Sequence, residues 1–385
     1  MRIAVPKEIM ANERRVAATP ETVARYRRSG FEVFVESGAG AGIFADDESY
    51  RAAGARIVGD PQELLAAGEL VLKVKQPMFN SKVGRHEVDM MVPGATLVTF
   101  LHPAAPESHD MVRKLRDRGI TSFTMDGIPR ITRAQSMDAL TSMSTCTGYR
   151  AMLDAARLLP KFVPMIGTAI GAIKPAEVLV VGAGVVGLQA IATAKRLGAV
   201  LRAWDIREAA RNDASSLGAK AEGFDVPAEV ALAEGGYARA LPASWLEKER
   251  AALAPFVARA DIVILSALVP GELAPILVTR EMVAAMRPGS VIVDVSIDQG
   301  GNCALTMAGE EIVESGVTVS GIQNIPGRLP VHSTWLYAEN MVRYIENLFK
   351  GRATPDLDDE IVRNSLVTMG RVIHHQAALQ AMGEG

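Results

Sequence analysis

Cysteine is nearly absent: Cys146 and Cys303 are the only two in 385 residues, and they stand far apart with no metal-ligand spacing. That rules out a disulfide framework or a thiolate metal centre as the organising device, and it suits a reducing compartment. Histidine is scarce too. His332 is isolated, and the adjacent pair His374 and His375 points to different sides of any regular element, so no metal is expected. The chain has no long block of like charge and a formal net charge of −3, which argues against a nucleic-acid partner or an anionic membrane surface. Long apolar runs are missing as well. The opening Met1-Arg-Ile-Ala-Val-Pro-Lys-Glu8 reads as a short strand followed by charges, not as a signal peptide. The longest weakly polar run is broken by glycines and too strand-rich to span a bilayer. The expectation is a soluble, cytoplasmic protein with no direct membrane insertion.

What is present is core-forming residue. Hydrophobic residues make up 49% of the chain, alongside 34 glycines and 20 prolines, ample for a buried core in two or three domains. The most informative segment runs from Val178 to Lys195. An apolar β-branched stretch, Val178 to Val181, leads into Gly182-Ala-Gly184-Val-Val-Gly187. A helix-periodic segment follows and stops at Gly198, and a second apolar run, Ala199 to Trp204, ends in Asp205. Strand, glycine turn, helix, strand and acid follow in the order a dinucleotide-binding unit requires. Gly182 makes the tight turn, Gly184 admits backbone to a pyrophosphate, and Gly187 permits close helix–strand packing. The helix N-terminus offers unpaired N–H groups and a positive dipole end to phosphate. Asp205 accepts hydrogen bonds from an adenine ribose and repels a 2′-phosphate, which favours NAD(H). Arg202 and Arg207 flank that acid and are expected to blunt the preference. The fingerprint's cofactor-binding set is Gly182, Gly184, Val186, Gly187, Asp205, Ile206 and Arg207.

The first 130 residues also alternate strand and helix, with strands expected at Ile3–Val5, Phe31–Val35, Leu70–Val74, Thr96–Leu101 and Ile120–Met125. Between the first two lies a helix capped by Thr19, opened by Pro20 and stopped by Gly30. Gly38-Ala-Gly40-Ala-Gly42 lacks a following helix and acid and reads as a turn. A long helical stretch is expected over Ala134–Phe162, then a segment punctuated by Pro164, Gly167, Gly171 and Pro175, and a second long helix over Thr334–Phe349. The fold class is therefore α/β, with two doubly wound parallel-sheet (Rossmann-like) domains, the second inserted in the first and joined to it by long helices. The boundaries are 1–142 plus 326–385 for the discontinuous domain and 143–325 for the nucleotide domain. A ligand is expected in a cleft between them.

Ile128-Pro-Arg-Ile-Thr-Arg-Ala-Gln-Ser-Met-Asp-Ala-Leu140 resembles the Arg-Gln-Asp loop of the NAD(H)-binding alpha subunit of proton-translocating NAD(P) transhydrogenase. The likeness continues through Gly182–Gly198, Gly235–Ala238, Pro270-Gly271, Met286–Asp294, Gly300–Cys303, Asn324–Pro330 and the tail Asp358–Val362. The resemblance implies that Arg130, Gln135 and Asp138, with Thr141, hold the nicotinamide end of NAD(H), and it adds Thr141, Gly236 and Leu268 to the cofactor-binding residues. Hydride transfer between two nicotinamides needs no general acid or base, only stacked rings, fixed orientation and exclusion of water. A glutamine suits a carboxamide or ribose, and Arg130 and Asp138 can pair to shape the loop. The chain ends near residue 385 without a membrane segment, as expected for a separate, soluble form of the subunit. The implied partners are an NADP-binding component, a membrane component carrying the proton channel, and a second copy in a homodimer. Through them the chain would sit at the inner face of the plasma membrane as part of a translocase.

The same superfamily contains alanine dehydrogenase, and four residues resemble that branch: Arg15, Lys75, His102 and Asp298 match its substrate positions. Arg15 and Lys75 would bind the carboxylate and carbonyl of a 2-oxo acid, His102 would carry the proton, and Asp298 would stabilise an ammonium or carbinolamine. The alternative function is a self-contained NAD-dependent amino-acid/2-oxo-acid oxidoreductase.

Overall fold

The computed structural model describes residues 1–232, 238–269 and 273–384. The chain divides into two units, Met1–Met143 with Pro326–Gly385, and Ser144–Ile325. Each is built on its own sheet, and both are α/β.

In the first unit eight strands run in the order Val372–Ile373, Leu366–Met369, Thr121–Thr124, Thr96–Thr99, Leu70–Leu72, Arg2–Val5, Glu32–Glu36 and Arg56–Val58. The six N-terminal strands pair in parallel, and the two C-terminal strands add an antiparallel edge. Strand alternation sends Ile3 and Val5 to one face and Ala4 to the other, each against its own buried cluster. The helix Pro20–Arg28 has the expected cap: Thr19 and Thr22 exchange hydrogen bonds, and Gly30 turns at φ +86°. Helix Pro330–Phe349 returns to this unit, burying Tyr337, Met341, Tyr344 and Leu348.

The second unit has seven strands in the order Lys220–Glu222, Val200–Trp204, Glu177–Val181, Ile262–Leu265, Val291–Asp294, Val317–Ser320 and Glu311–Glu314. All pair in parallel except the last. Counting from the first strand of each unit, both sheets share the order 3-2-1-4-5-6 across their parallel strands, with the reversal of direction between the first and fourth.

Several local expectations change. The second long helix starts a turn early, at Pro330, and strand Thr96–Leu101 ends at Thr99. The long stretch before the fingerprint is two elements, a 3-10 segment Thr132–Met137 and a helix Ala139–Leu158. They separate because the Asp138 carboxylate turns back onto the helix, accepting the Thr141 N–H at 2.9 Å. The segment after it forms an antiparallel hairpin, Ile166–Thr168 with Gly171–Ile173. Finally, Leu70–Val74 stops as a strand at Leu72: the Lys73 N–H still donates to the Val98 carbonyl, but the Val74 N–H turns to the Glu8 carboxylate at 2.6 Å.

Candidate active site

The three glycines of the fingerprint meet three different steric demands. Gly182 turns at φ +90°, and a Cβ there would lie 2.7 Å from the main chain of Ser266 and Ala267. A Cβ on Gly187 would lie 1.9 Å from the Gly182 carbonyl oxygen, so helix Val185–Arg196 can approach the strand only through glycine. At Gly184 a Cβ would meet nothing within 4 Å. Gly184 is the helix N-cap, and its first turn carries no side-chain cap. An open glycine at an uncapped N-terminus is the cradle that a pyrophosphate requires. Val186 lies in that first turn and is half-buried.

Residues remote in sequence hold this turn. Ser266 Oγ donates to the Gly182 carbonyl at 2.8 Å. Asn302 is fully buried; its Oδ1 accepts the Ala267 N–H at 3.0 Å, and its Nδ2 donates to the Ala267 and Pro275 carbonyls at 2.8 and 2.9 Å. Asp294, at the end of its strand, accepts the main-chain N–H of Asn302 and Cys303. A Cβ on Gly148 would lie 2.1 Å from the Val186 carbonyl, so the helix Ala139–Leu158 rests directly on the cofactor helix. Ser266 and Gly148 escaped sequence reasoning, and Asn302 and Asp294 were marked only as members of the resembling runs Gly300–Cys303 and Met286–Asp294, with no role assigned. Leu268 follows this loop and is partly exposed, while Gly236 lies outside the described residues.

Asp205 is buried at the end of strand Val200–Trp204, as the fingerprint requires. One oxygen accepts the Ala183 N–H at 2.8 Å, tying the acid to the glycine turn. Arg207 pairs with it at 2.9 Å, and hydrogen bonding to Asp205 raises the arginine's pKa. Arg202 does not flank the carboxylate as expected. Its position on the strand aims it at Glu222, 2.9 Å away. Ile206, between the acid and Arg207, is half-buried. Behind the acid the Trp204 indole donates to Glu249 at 3.1 Å. Burial pushes that carboxyl up to about 7, helped by the charge of Asp205 and opposed by the indole.

In the first unit the loop Ile128–Asp138 is clamped from three sides. Ala134 and Met137 are buried in the core, Asn340 Nδ2 donates to the Ser136 carbonyl at 2.9 Å, and Arg133 grips Asp359 at 2.6 and 3.1 Å. Lys350 shares Asp359, and the two cations hold its carboxyl well below the usual range although burial opposes them. The clamp leaves Arg130 and Gln135 exposed on a fixed loop. Asp138 gives both oxygens to Thr141, accepting its hydroxyl at 2.6 Å as well as its N–H.

Arg15, Lys75 and His102 all follow carboxyl ends of neighbouring strands of the first sheet. Arg15 is buried and gives its fork to Glu13, at 2.5 and 2.8 Å. Burial alone would raise the Glu13 carboxyl, but Arg15, assisted by the charge of Lys75, holds it down to about 2. His102 sits at φ +46° with its ring stacked on Phe100, interplanar angle 2°. Its Nδ1 is 3.3 Å from Asp126, whose same oxygen accepts the His102 N–H at 2.6 Å. Asp126 was not anticipated from sequence. Asp298 lies in the second unit, where it accepts Gln323 Nε2 at 2.8 Å. His375 caps a short helix at Ala378, and His374 contacts the Met369 carbonyl.

Fold and site together define a dinucleotide-binding protein with two Rossmann-like units. The chain belongs to the alanine dehydrogenase/PNT family, on the branch of the NAD(P) transhydrogenase alpha subunits. Residues 4–147 match the family's N-terminal domain and residues 151–376 its C-terminal domain. It is 42% identical to the first of the separate parts of NAD(P) transhydrogenase subunit alpha in Rhodospirillum rubrum, over 381 residues and 98% of each chain. The crystal structure of transhydrogenase from Sinorhizobium meliloti superimposes with a TM-score of 0.82 at 37% identity, covering 98% of this chain and 100% of that one. Similarity to alanine dehydrogenase of Bacillus subtilis is lower, 33% identity over all of this chain and 95% of the relative. The family binds NAD(H), and the chain is an oxidoreductase component. Among the described residues, no helix is long and apolar enough to cross a membrane.

Proposed function

We propose that this chain is the NAD(H)-binding component of a transhydrogenase, exchanging hydride between NADH and NADP+ held on a partner subunit. Membrane subunits would couple that exchange to proton translocation. The observation that carries this reading is the clamped loop presenting Arg130 and Gln135 without an acid–base pair among its exposed residues. Bound NADH supplies the hydride. Gly184 and the N-terminus of helix Val185–Arg196 receive the pyrophosphate, and Asp205 receives the adenine ribose. Gln135 and Arg130 orient the nicotinamide end, while Asp138, through Thr141, fixes where the long helix begins. None of these groups has to move a proton, which suits transfer between two like rings.

The exposed hairpin, with Ile170 at its turn 99% exposed and Met165 just before it 66% exposed, supports self-association as a homodimer. A cytoplasmic position at the inner membrane face follows from the proposed partners.

A second reading, a free-standing amino-acid dehydrogenase, is favoured by the His102–Asp126 pair, whose strained backbone and stacked ring fix an imidazole at a strand end. Against it, Arg15 already spends its fork on Glu13. The two readings separate in one assay: NADH oxidation by the purified chain with ammonium and a panel of small 2-oxo acids. The transhydrogenase reading predicts tight NADH binding without turnover. Turnover that disappears in His102→Ala would establish the second reading instead.

A further inference from the structure

Thr132–Met137, the turn that carries Gln135, is a 3-10 helix, in which residues three apart share a face. It therefore has three ridges. Ala134 and Met137 form the buried one, and Thr132 and Gln135 form an exposed one. Arg133 and Ser136 form the third. One alanine and one flexible methionine make a shallow apolar ridge that resists rotation poorly. Arg133 supplies what they lack. Both ends of its fork meet Asp359, at 2.6 and 3.1 Å, and a bidentate pair fixes direction as well as distance.

Asp359 is a fixed point. Its side chain is 3% exposed, against 47% for Arg133. Its Oδ1 also accepts the Ile361 N–H at 2.8 Å, capping helix Glu360–Ser365. Its Oδ2 accepts Lys350 Nζ at 2.9 Å, at the end of helix Pro330–Phe349. Both helices are seated in the core of the unit, through Ile361 and Val362 and through Ile345 and Leu348.

We propose that Asp359 is a positioning residue for hydride transfer: acting through Arg133, it sets the rotation of the 3-10 turn and with it the place where Gln135 meets the nicotinamide. The proposal rests on the reading that this loop holds the reacting end of NADH. Asp359 has no part in the glycine fingerprint, so its loss disturbs orientation and spares affinity.

The test is single-turnover hydride transfer from NADH on the full chain to NADP+ on the partner subunit, with the NADH dissociation constant measured alongside. Asp359→Asn keeps an oxygen for the Ile361 cap but loses the charge and the paired acceptors. Transfer slows by about tenfold in this variant while the dissociation constant stays within about twofold. Arg133→Lys keeps the charge without the fork and slows transfer by about fivefold. It leaves the cap and Lys350 in place, so it also serves if the asparagine variant fails to fold. Lys350→Gln removes the other cation from the same carboxylate without touching the loop, and the rate stays within about twofold. Parental rates in Asp359→Asn or Arg133→Lys overturn the proposal. So does equal slowing in Lys350→Gln, which would mark a general loosening of the unit. No transfer by the parent chain, with NADH bound, overturns the transhydrogenase reading and this proposal with it.

Discussion

The two sheets share one strand order and differ in what stands at the carboxyl end of the first strand. In the nucleotide unit, Val181 is followed by Gly182-Ala-Gly184, an open turn at the N-terminus of a helix. In the other unit, Val5 is followed by Pro6-Lys7-Glu8, and the Glu8 side chain plugs the corresponding position. It accepts the Val74 N–H at 2.6 Å and pairs with the fully buried Lys73 at 3.2 Å, which Glu87 meets from the other side at 2.9 Å. The same switch point is thus a phosphate cradle in one sheet and an ion cluster in the other. Topology offers the place, and side chains decide whether a ligand can use it. Around the plugged end the first unit instead gathers Arg15, Lys75 and His102.

A reciprocal pair of substitutions breaks that contrast. Lys73→Met leaves two buried carboxylates without their cation and should cost the first unit about 3–5 kcal/mol. NADH affinity should stay within about threefold, because the fingerprint lies elsewhere. Gly187→Ala forces a methyl against the Gly182 carbonyl and should cost about 3 kcal/mol, with NADH affinity falling at least about tenfold. Denaturant unfolding and NADH titration of both variants check this; a large loss of NADH binding in Lys73→Met would refute the separation.

A smaller effect sharpens it. Glu249 protonates near pH 7 when folded and near 4.5 when unfolded. Between those values the folded chain holds a proton the unfolded chain has lost, so stability falls as pH rises through the window. The loss amounts to about 3 kcal/mol at most. It is fully avoided below pH 4.5 and complete above 7. Glu249→Gln should flatten this part of the pH dependence and make the chain more stable than the parent at pH 8. Chemical denaturation at pH 5 and pH 8 measures both; an unaltered slope would show that Glu249 ionises without cost.

The fingerprint was legible because its demands lie within one continuous run, where each glycine answers a different neighbour. Its supports were not. Ser266 reaches it across 84 residues of sequence, Asn302 braces the neighbouring Ala267 across 35, and no local pattern predicts such reach. The pairing of Arg207 with Asp205 depends on how the backbone turns between them, which composition does not reveal. The Arg-Gln-Asp loop was visible only through resemblance, and its anchor, Arg133 on Asp359, spans 226 residues. Proline and glycine marked the segment after the long helix as a break, but equally permitted a loop or the hairpin that forms.

The most direct test of the central claim is single-turnover hydride transfer from NADH on this chain to NADP+ on its partner subunit, comparing the parent with Gln135→Asn. Shortening that side chain should slow transfer by about tenfold or more while the NADH dissociation constant changes little, because orientation is lost and binding is not. Equal transfer rates would contradict the assignment of Gln135, and of the loop that presents it, to the reacting end of the cofactor.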